Sequence, residues 1–209
     1  MKQKSRLKEK ILARKEREKA EMRVKIIIAA RKMFVSMGYE AVSIRKIAEA
    51  ISYSPATIYN YFKSIDEIFY AIHDEAFTIF HQKLKANYVI KDPVERLKHM
   101  GFTYVGFALE NPEYYDLMFI LKAPMQSDQV TDSWDCGMRA YNCLEETIKE
   151  CMNEGYFAGK DLHSMTLAVW SFVHGLASLA IRDRLRMYPQ DQLHPIIHNA
   201  INHMTDMYR

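Results

Sequence analysis

Ser43-Ile44-Arg45-Lys46-Ile47-Ala48-Glu49-Ala50-Ile51 and Ser54-Pro55-Ala56-Thr57-Ile58-Tyr59-Asn60-Tyr61-Phe62-Lys63 are separated by Ser52-Tyr53 alone. Ile44, Ile47, Ala48 and Ile51 recur at i, i+3, i+4 and i+7, which is one face of a helix. Ser43 supplies an N-cap oxygen, so the spacing predicts a helix of two turns. Ser54-Pro55 has the form of an N-cap serine followed by proline at the first helical position, where the missing N–H costs nothing. Ile58 and Phe62 lie four apart and give the second helix its apolar side. Two short helices joined by a tight turn make a helix-turn-helix. Pro55, Ala56, Thr57, Tyr59, Asn60 and Tyr61 are then left on the exposed side and at the N-terminal end.

Upstream, Val24 to Met37 is expected to form the supporting helix, with Ile26, Ala30, Met33 and Met37 on one stripe and Ile27 and Phe34 beside it. Gly38 follows where a helix C-cap glycine belongs. Before it, Lys2 to Lys25 holds 11 basic and 4 acidic residues without a glycine or proline. That run reads as a solvated tail, a frayed arm or a helical extension.

Downstream, Ser64-Ile65-Asp66-Glu67 is a capping box, and Ile68, Phe69, Ile72, Ala76, Ile79, Phe80 and Leu84 continue it as an apolar stripe. Asp92-Pro93 and Asn111-Pro112 start two more helices. Lys122 to Val130 reads as a loop and Thr131 to Asn153 as a helix ended by Gly155. Asp161 to about Arg186 reads as a helix broken by Pro189, and Asp191 to Tyr208 as the last. No strand or internal repeat is evident. The expected fold is all-α: an N-terminal three-helix helix-turn-helix domain plus a C-terminal helical bundle, about nine helices in all.

Composition agrees. The 209 residues are 49% hydrophobic with only 7 Gly and 6 Pro, which excludes whole-chain disorder and argues against a sheet sandwich. Residues 1–65 carry 16 basic and 6 acidic side chains, and the remainder 13 and 20. A basic first third on an acidic body suggests that one end meets a polyanion. Cys136, Cys143 and Cys151 form no CxxC and read as free thiols in a reducing compartment. The charged N-terminus has no apolar signal region, so the expected location is cytoplasmic. Leu162 to Ile181 is 20 residues without Lys, Arg, Asp or Glu, long enough to span a bilayer. His163, Ser164, Thr166, Ser171, His174 and Ser178 within it favour a buried helix or a subunit interface.

The exposed residues suit DNA. Thr57 and Asn60 can bond base edges, and Ala56 or the Thr57 methyl can meet a thymine methyl. Ser43 and Ser54 mark helix N-termini, where free N–H groups favour a phosphate. Tyr59 and Tyr61 offer hydroxyls to backbone oxygens, or form a semi-buried aromatic patch. Arg45, Lys46 and Lys63 supply charge, and Arg45 can also reach a guanine.

Ile27-Ile28-Ala29-Ala30-Arg31-Lys32-Met33-Phe34 with Gly38-Tyr39, Ser43-Ile44-Arg45-Lys46-Ile47-Ala48, and Ser54 through Lys63 together resemble the DNA-binding domain of TetR/AcrR-type transcriptional regulators. Asp92-Pro93, Tyr104 to Ala108, Asn111 to Phe119, and Trp170 with His174-Gly175 resemble a TetR-type effector domain with a Trp…His-Gly signature. The resemblance implies an all-helical homodimer that pairs through its last two helices. It also implies a small ligand enclosed by the later helices and a pseudo-palindromic double-stranded DNA operator.

The chain departs from that pattern at Ser52, where the family usually has glycine. A left-handed residue there costs roughly 1 kcal/mol without glycine, so the turn is expected to be reshaped. Ile65 replaces a lysine that often contacts phosphate. The expected division is a basic extension at 1–20, a DNA-binding domain at 21–66, and a ligand-binding and dimerisation domain at 67–209.

The aromatic and Met content of the second domain suits an apolar pocket. Candidates are Tyr104, Phe107, Met118, Trp134, Met138, Tyr141, Trp170 and His174, each equally readable as plain core. His174 needs a polar partner on its apolar helix. His194, His198 and His203 lack a carboxylate or cysteine at metal-motif spacing, so no metal or cofactor is expected. No Walker loop, GxSxG or HExxH occurs, and no enzymatic activity is expected. The expected function is a sequence-specific transcriptional regulator, a repressor relieved by a small apolar or aromatic ligand. A helical adaptor for acidic protein or membrane surfaces, a helical-bundle enzyme and a ligand-free constitutive regulator are the alternatives.

Overall fold

A computed structural model describes residues 2–122 and 135–206. Among these residues the elements are α1 (Lys2–Met37), α2 (Ile44–Ala50), α3 (Pro55–Tyr59), α4 (Ile65–Ala86), α5 (Pro93–Glu110), α6 (Pro112–Phe119), α7 (Asp135–Asn153), α8 (Leu162–Ile181) and α9 (Gln190–Asp206), with single 3-10 turns at Tyr39–Ala41 and Asn87–Val89. The fold is all-α. The loop expected around Pro124 and the start of the helix expected at Thr131 lie outside the described residues. The chain divides into two compact units, the first running to His73 and taking in Leu121 and Lys122, the second beginning at Asp74, so the division falls inside α4.

In the first unit, α1 presents Ile26, Ala30 and Phe34 to the core. These lie four apart, so the buried stripe runs along the i, i+4 row. Met37, expected on it, is exposed and Met33 only half-buried. The charged start is helical and continuous with the rest of α1. Gly38 ends the helix at φ +80°, with its N–H on the Phe34 carbonyl at 2.8 Å. Phe34 meets Phe69 of α4 edge-on at 5.6 Å between ring centres, and Tyr39 covers Phe69 at 4.5 Å.

In the second unit, α5 packs against α7, α8 and α9. Gly101 permits the closest approach, because a Cβ there would stand 3.0 Å from Ile201 Cγ2 and 3.6 Å from Val173 Cγ1. The Asp92 carboxylate accepts from the Val94 and Glu95 amides at 2.9 and 3.0 Å and caps α5. The expected break of α8 at Pro189 comes earlier. The helix ends at Ile181, and Asp183 turns left-handed at φ +55° while the Arg184 N–H bonds back to the Leu179 carbonyl at 2.9 Å. By length and composition α8 could cross a membrane. It buries Met165, Thr166, Val169, Val173 and Ala177 within its unit, while Leu167 and Leu179 are exposed.

Cys136, Cys143 and Cys151 are buried free thiols, and burial raises each above the usual thiol range, Cys151 to about 12. His198 stacks on the Phe102 ring at 3.6 Å between ring centres.

Candidate nucleic-acid interface and ligand pocket

The two short helices place their apolar residues inside. Ile47, Ala48, Ile51, Ile58 and Phe62 are all buried. The Ser43 hydroxyl accepts from the Lys46 amide at 3.3 Å and the Ser54 hydroxyl from the Thr57 amide at 3.2 Å, so both predicted N-caps form. Ser54 Oγ also lies 3.0 Å from Thr57 Oγ1, which orients that threonine. α3 ends at Tyr59, so Asn60 and Tyr61 stand on the turn that follows it.

Pro55, Ala56, Tyr59, Asn60 and Lys63 are exposed, while Ser43, Thr57 and Tyr61 are half-buried. Tyr59 is 57% exposed, which removes it from the semi-buried aromatic reading. Arg45 bonds Glu49 at 3.0 Å with both side chains open to water, an ion pair worth at most about 1 kcal/mol and easily opened. Lys46 Nζ donates to the Ala41 carbonyl at 2.7 Å, and the Lys63 amide to Glu67 at 2.7 Å.

Ser52 keeps the left-handed backbone at φ +62°. The expected reshaping does not occur, and the chain bears the strain of a non-glycine residue. Lys25 of α1 donates to the Ile51 carbonyl at 3.4 Å and lies over the Tyr53 ring at 4.8 Å, bracing that turn. Arg23 donates to the Tyr61 carbonyl, pairs with Glu67 at 3.6 Å and covers the Phe62 ring at 4.0 Å. Sequence reasoning missed both bracing cations, because the helical period marks which residues face a core but not which polar group waits there.

The second unit holds an apolar pocket open to solvent, about 620 Å³ with the solvent space at its mouth included. Of the candidates, Tyr104, Tyr141 and Trp170 line it. Phe107 and Met118 are buried in the core beside it, and Met138 is exposed on α7. Trp134 lies outside the described residues. The wall is completed by Phe77, Phe80 and Leu84 of α4, Phe119 of α6, Val173 of α8 and Met204 of α9, among others. Of these, Phe80 and Leu84 were legible in the stripe that follows Ser64, but nothing in a single stripe says that one will stop short of its neighbour.

His174 stands behind the wall rather than in it. Its Nδ1 lies 2.9 Å from the Tyr104 hydroxyl and 3.0 Å from the Tyr115 hydroxyl, and Tyr115 Oη is also 3.1 Å from the His174 carbonyl. The Trp170 ring stands edge-on to the His174 ring at 6.4 Å between centres. Burial, aided by the Arg182 guanidinium, lowers the His174 pKa and favours the neutral ring. Burial holds the Tyr104 hydroxyl well above the phenol range, with Tyr115 adding to it. Burial pushes Tyr115 up to about 12, against the pull of Arg182 and Ser178. The Tyr104 and Tyr115 hydroxyls are met by His174, and among the described residues no charged side chain lines the cavity. A neutral, largely apolar molecule is what this wall can hold.

Residues 26–72 match the family model described as bacterial regulatory proteins, tetR family, and residues 97–204 match that for the tetracyclin repressor-like C-terminal domain. The HTH-type transcriptional regulator HbdR of Aromatoleum sp. (strain CIB) is 25% identical over 158 residues, covering 75% of this chain and 69% of that protein. A Rhodococcus sp. RHA1 protein of unknown function superposes with a TM-score of 0.73 at 18% identity, over 89% of this chain and 92% of that one. The fatty acid degradation regulator FadR of Bacillus halodurans does so at 0.65 and 18% identity, over 86% and 93%.

Proposed function

The chain belongs to the TetR family of DNA-binding transcriptional regulators, and from that premise we propose a repressor whose operator binding is relieved by a small, uncharged apolar or aromatic ligand. One observation carries the reading: exposed polar side chains cluster around the N-terminus and end of α3, while the other unit holds an uncharged apolar cavity.

In this reading Thr57 and Asn60 bond base edges, Ala56 or the Thr57 methyl meets a thymine methyl, and Pro55 sets the entry of α3. Ser43, Ser54, Tyr59 and Tyr61 contact backbone phosphates, and Arg45, Lys46 and Lys63 supply charge. Arg45 exchanges Glu49 for a phosphate or a guanine. Residues 21–66 serve DNA and 67–209 serve ligand and dimer. The dimer forms through α8 and α9, whose exposed Leu167 and Leu179 it covers. Two recognition helices then read half-sites about one helical turn apart, roughly 34–36 Å. Tyr104, Tyr141 and Trp170 receive the ligand. It acts only through its different affinity for the DNA-competent and DNA-incompetent states. The continuous helix α4 is the covalent link between the two sites.

Selection of random duplex DNA on the purified protein tests the first half. An enriched inverted repeat with a steep salt dependence supports the reading. Binding that only follows ionic strength, with nothing enriched, removes it. A thermal-shift screen of neutral aromatic and aliphatic compounds tests the second. A compound at about 100 times its Kd stabilises by roughly 2.7 kcal/mol and should also lower operator affinity. Stabilisation by none of them, with operator binding intact, points to a constitutive regulator.

A further inference from the structure

α1 runs unbroken from Lys2 to Met37, yet among its residues whose burial is described the first buried one is Ile26. Every residue from Glu9 to Glu21 is exposed. A continuous helix of about 20 residues therefore projects about 30 Å beyond its domain. Its composition does not suit a second helix or a bilayer. Leu7, Ile11, Leu12, Ala13 and Ala20 make no sustained a/d repeat and no wide apolar face. It is instead strongly cationic, with 11 basic against 4 acidic residues from Lys2 to Lys25. The pairs Arg14–Glu18 at 2.7 Å and Arg17–Glu21 at 3.7 Å are fully in solvent and stiffen the helix without quenching its charge.

The extension also leaves the domain at a telling place. Lys25 touches the turn that introduces α3, through the Ile51 carbonyl and the Tyr53 ring. The protruding helix starts beside the element that reads DNA. Its conformation limits how it can do so. An α-helix is about 10–12 Å across with its side chains, and the minor groove of B-DNA is about 6 Å wide. An arm threaded into the minor groove is excluded while the segment stays helical.

We propose that residues 2–20 form a second DNA-contacting element, a helix lying along the phosphate backbone of the duplex that flanks the operator half-site. Arg14, Lys15, Arg17 and Lys19 are its phosphate-binding side chains nearest the domain. At roughly 3.4 Å per base pair on each strand, about 30 Å covers about nine base pairs of flank. The proposal rests on the operator-binding reading and adds sequence-independent affinity to it.

The test uses the selected operator with long flanks and three proteins: the full chain, a variant lacking residues 2–18, and the fourfold variant R14Q/K15Q/R17Q/K19Q. The salt slope of log affinity should fall by about 0.9 for each phosphate no longer neutralised, hence by up to about 3–4 per bound protomer in the fourfold variant. Base preference within the half-sites should stay the same, and hydroxyl-radical protection of the flanks should disappear. Trimming the flanks should weaken the full chain and leave the deletion variant unchanged. Equal slopes and equal footprints for all three proteins would overturn the proposal. So would an unchanged operator slope together with abolished binding to phosphatidylserine vesicles, which would assign the helix to a membrane surface. A full chain that enriches no duplex sinks the operator reading itself, whereas a full chain that binds just as its truncations do sinks only the role of the extension.

Discussion

The two units treat their polar side chains in opposite ways. Around α2 and α3, Ile47, Ala48, Ile51, Ile58 and Phe62 are inside, and the side chains of Tyr59, Asn60 and Lys63 face water. Around the cavity the polar groups are inside: the Tyr104 and Tyr115 hydroxyls meet His174 Nδ1 and leave an apolar wall. Under the proposed function, a surface for a polyanion keeps its hydrogen-bonding capacity unspent, whereas a pocket for a neutral ligand spends it beforehand, because an unsatisfied buried polar group costs about 1–3 kcal/mol.

The contrast can be broken most forcefully at Phe62. It is buried beneath Arg23, so Phe62→Ala should destabilise the first unit by about 3–5 kcal/mol in denaturant unfolding. A loss below about 1 kcal/mol would mean that this core is not what holds α3. Asn60→Ala should act on the other side of the comparison. Operator affinity should fall by about 1–3 kcal/mol, while unfolding moves by less than about 0.5 kcal/mol. An equal loss in both measurements would make Asn60 structural.

A smaller effect is expected at the strained turn. Ser52→Gly relieves a left-handed serine and should stabilise by about 1 kcal/mol in thermal unfolding. No gain would place the strain elsewhere.

The smallest effect concerns pH. His174 has a lowered pKa in the folded chain, so the unfolded chain binds more protons between that value and the free imidazole value of about 6.5. Stability is therefore flat above that range and falls as pH drops through it. His174→Gln should shallow the decline measured by unfolding between about pH 7 and 5. An unaltered decline would assign it to other histidines, such as His81, which burial and the nearby Arg139 also shift down.

Much of the first unit was readable in the chain itself. Ser43 and Ser54 cap the helices they announced, and Ile47, Ala48, Ile51, Ile58 and Phe62 are buried as their spacing required. Local signals suffice there, because caps and helical period act within about four residues of the chain. Met37 failed as a core residue because the core beside α1 follows the i, i+4 row only as far as Phe34. Ser52 failed differently: the turn keeps its left-handed residue against the local preference, and Lys25, 27 positions earlier, helps to hold it.

The second unit was legible as stripes and not as a site. Phe80 and Leu84 looked like any other members of the stripe on α4, Phe77 was not read into it, and Met138 looked as apolar as Tyr141. By itself, the sequence determined an all-helical chain, a helix-turn-helix with its outward residues named, and a basic end joined to an acidic body. These follow from period, capping and composition, which are properties of short stretches. Only the tertiary structure decided where a cavity opens, which aromatic rings face it, and that His174 stands behind Tyr104. A cavity is the space that α4 through α9 fail to fill together, and its walls come from residues as far apart in the chain as Phe77 and Met204.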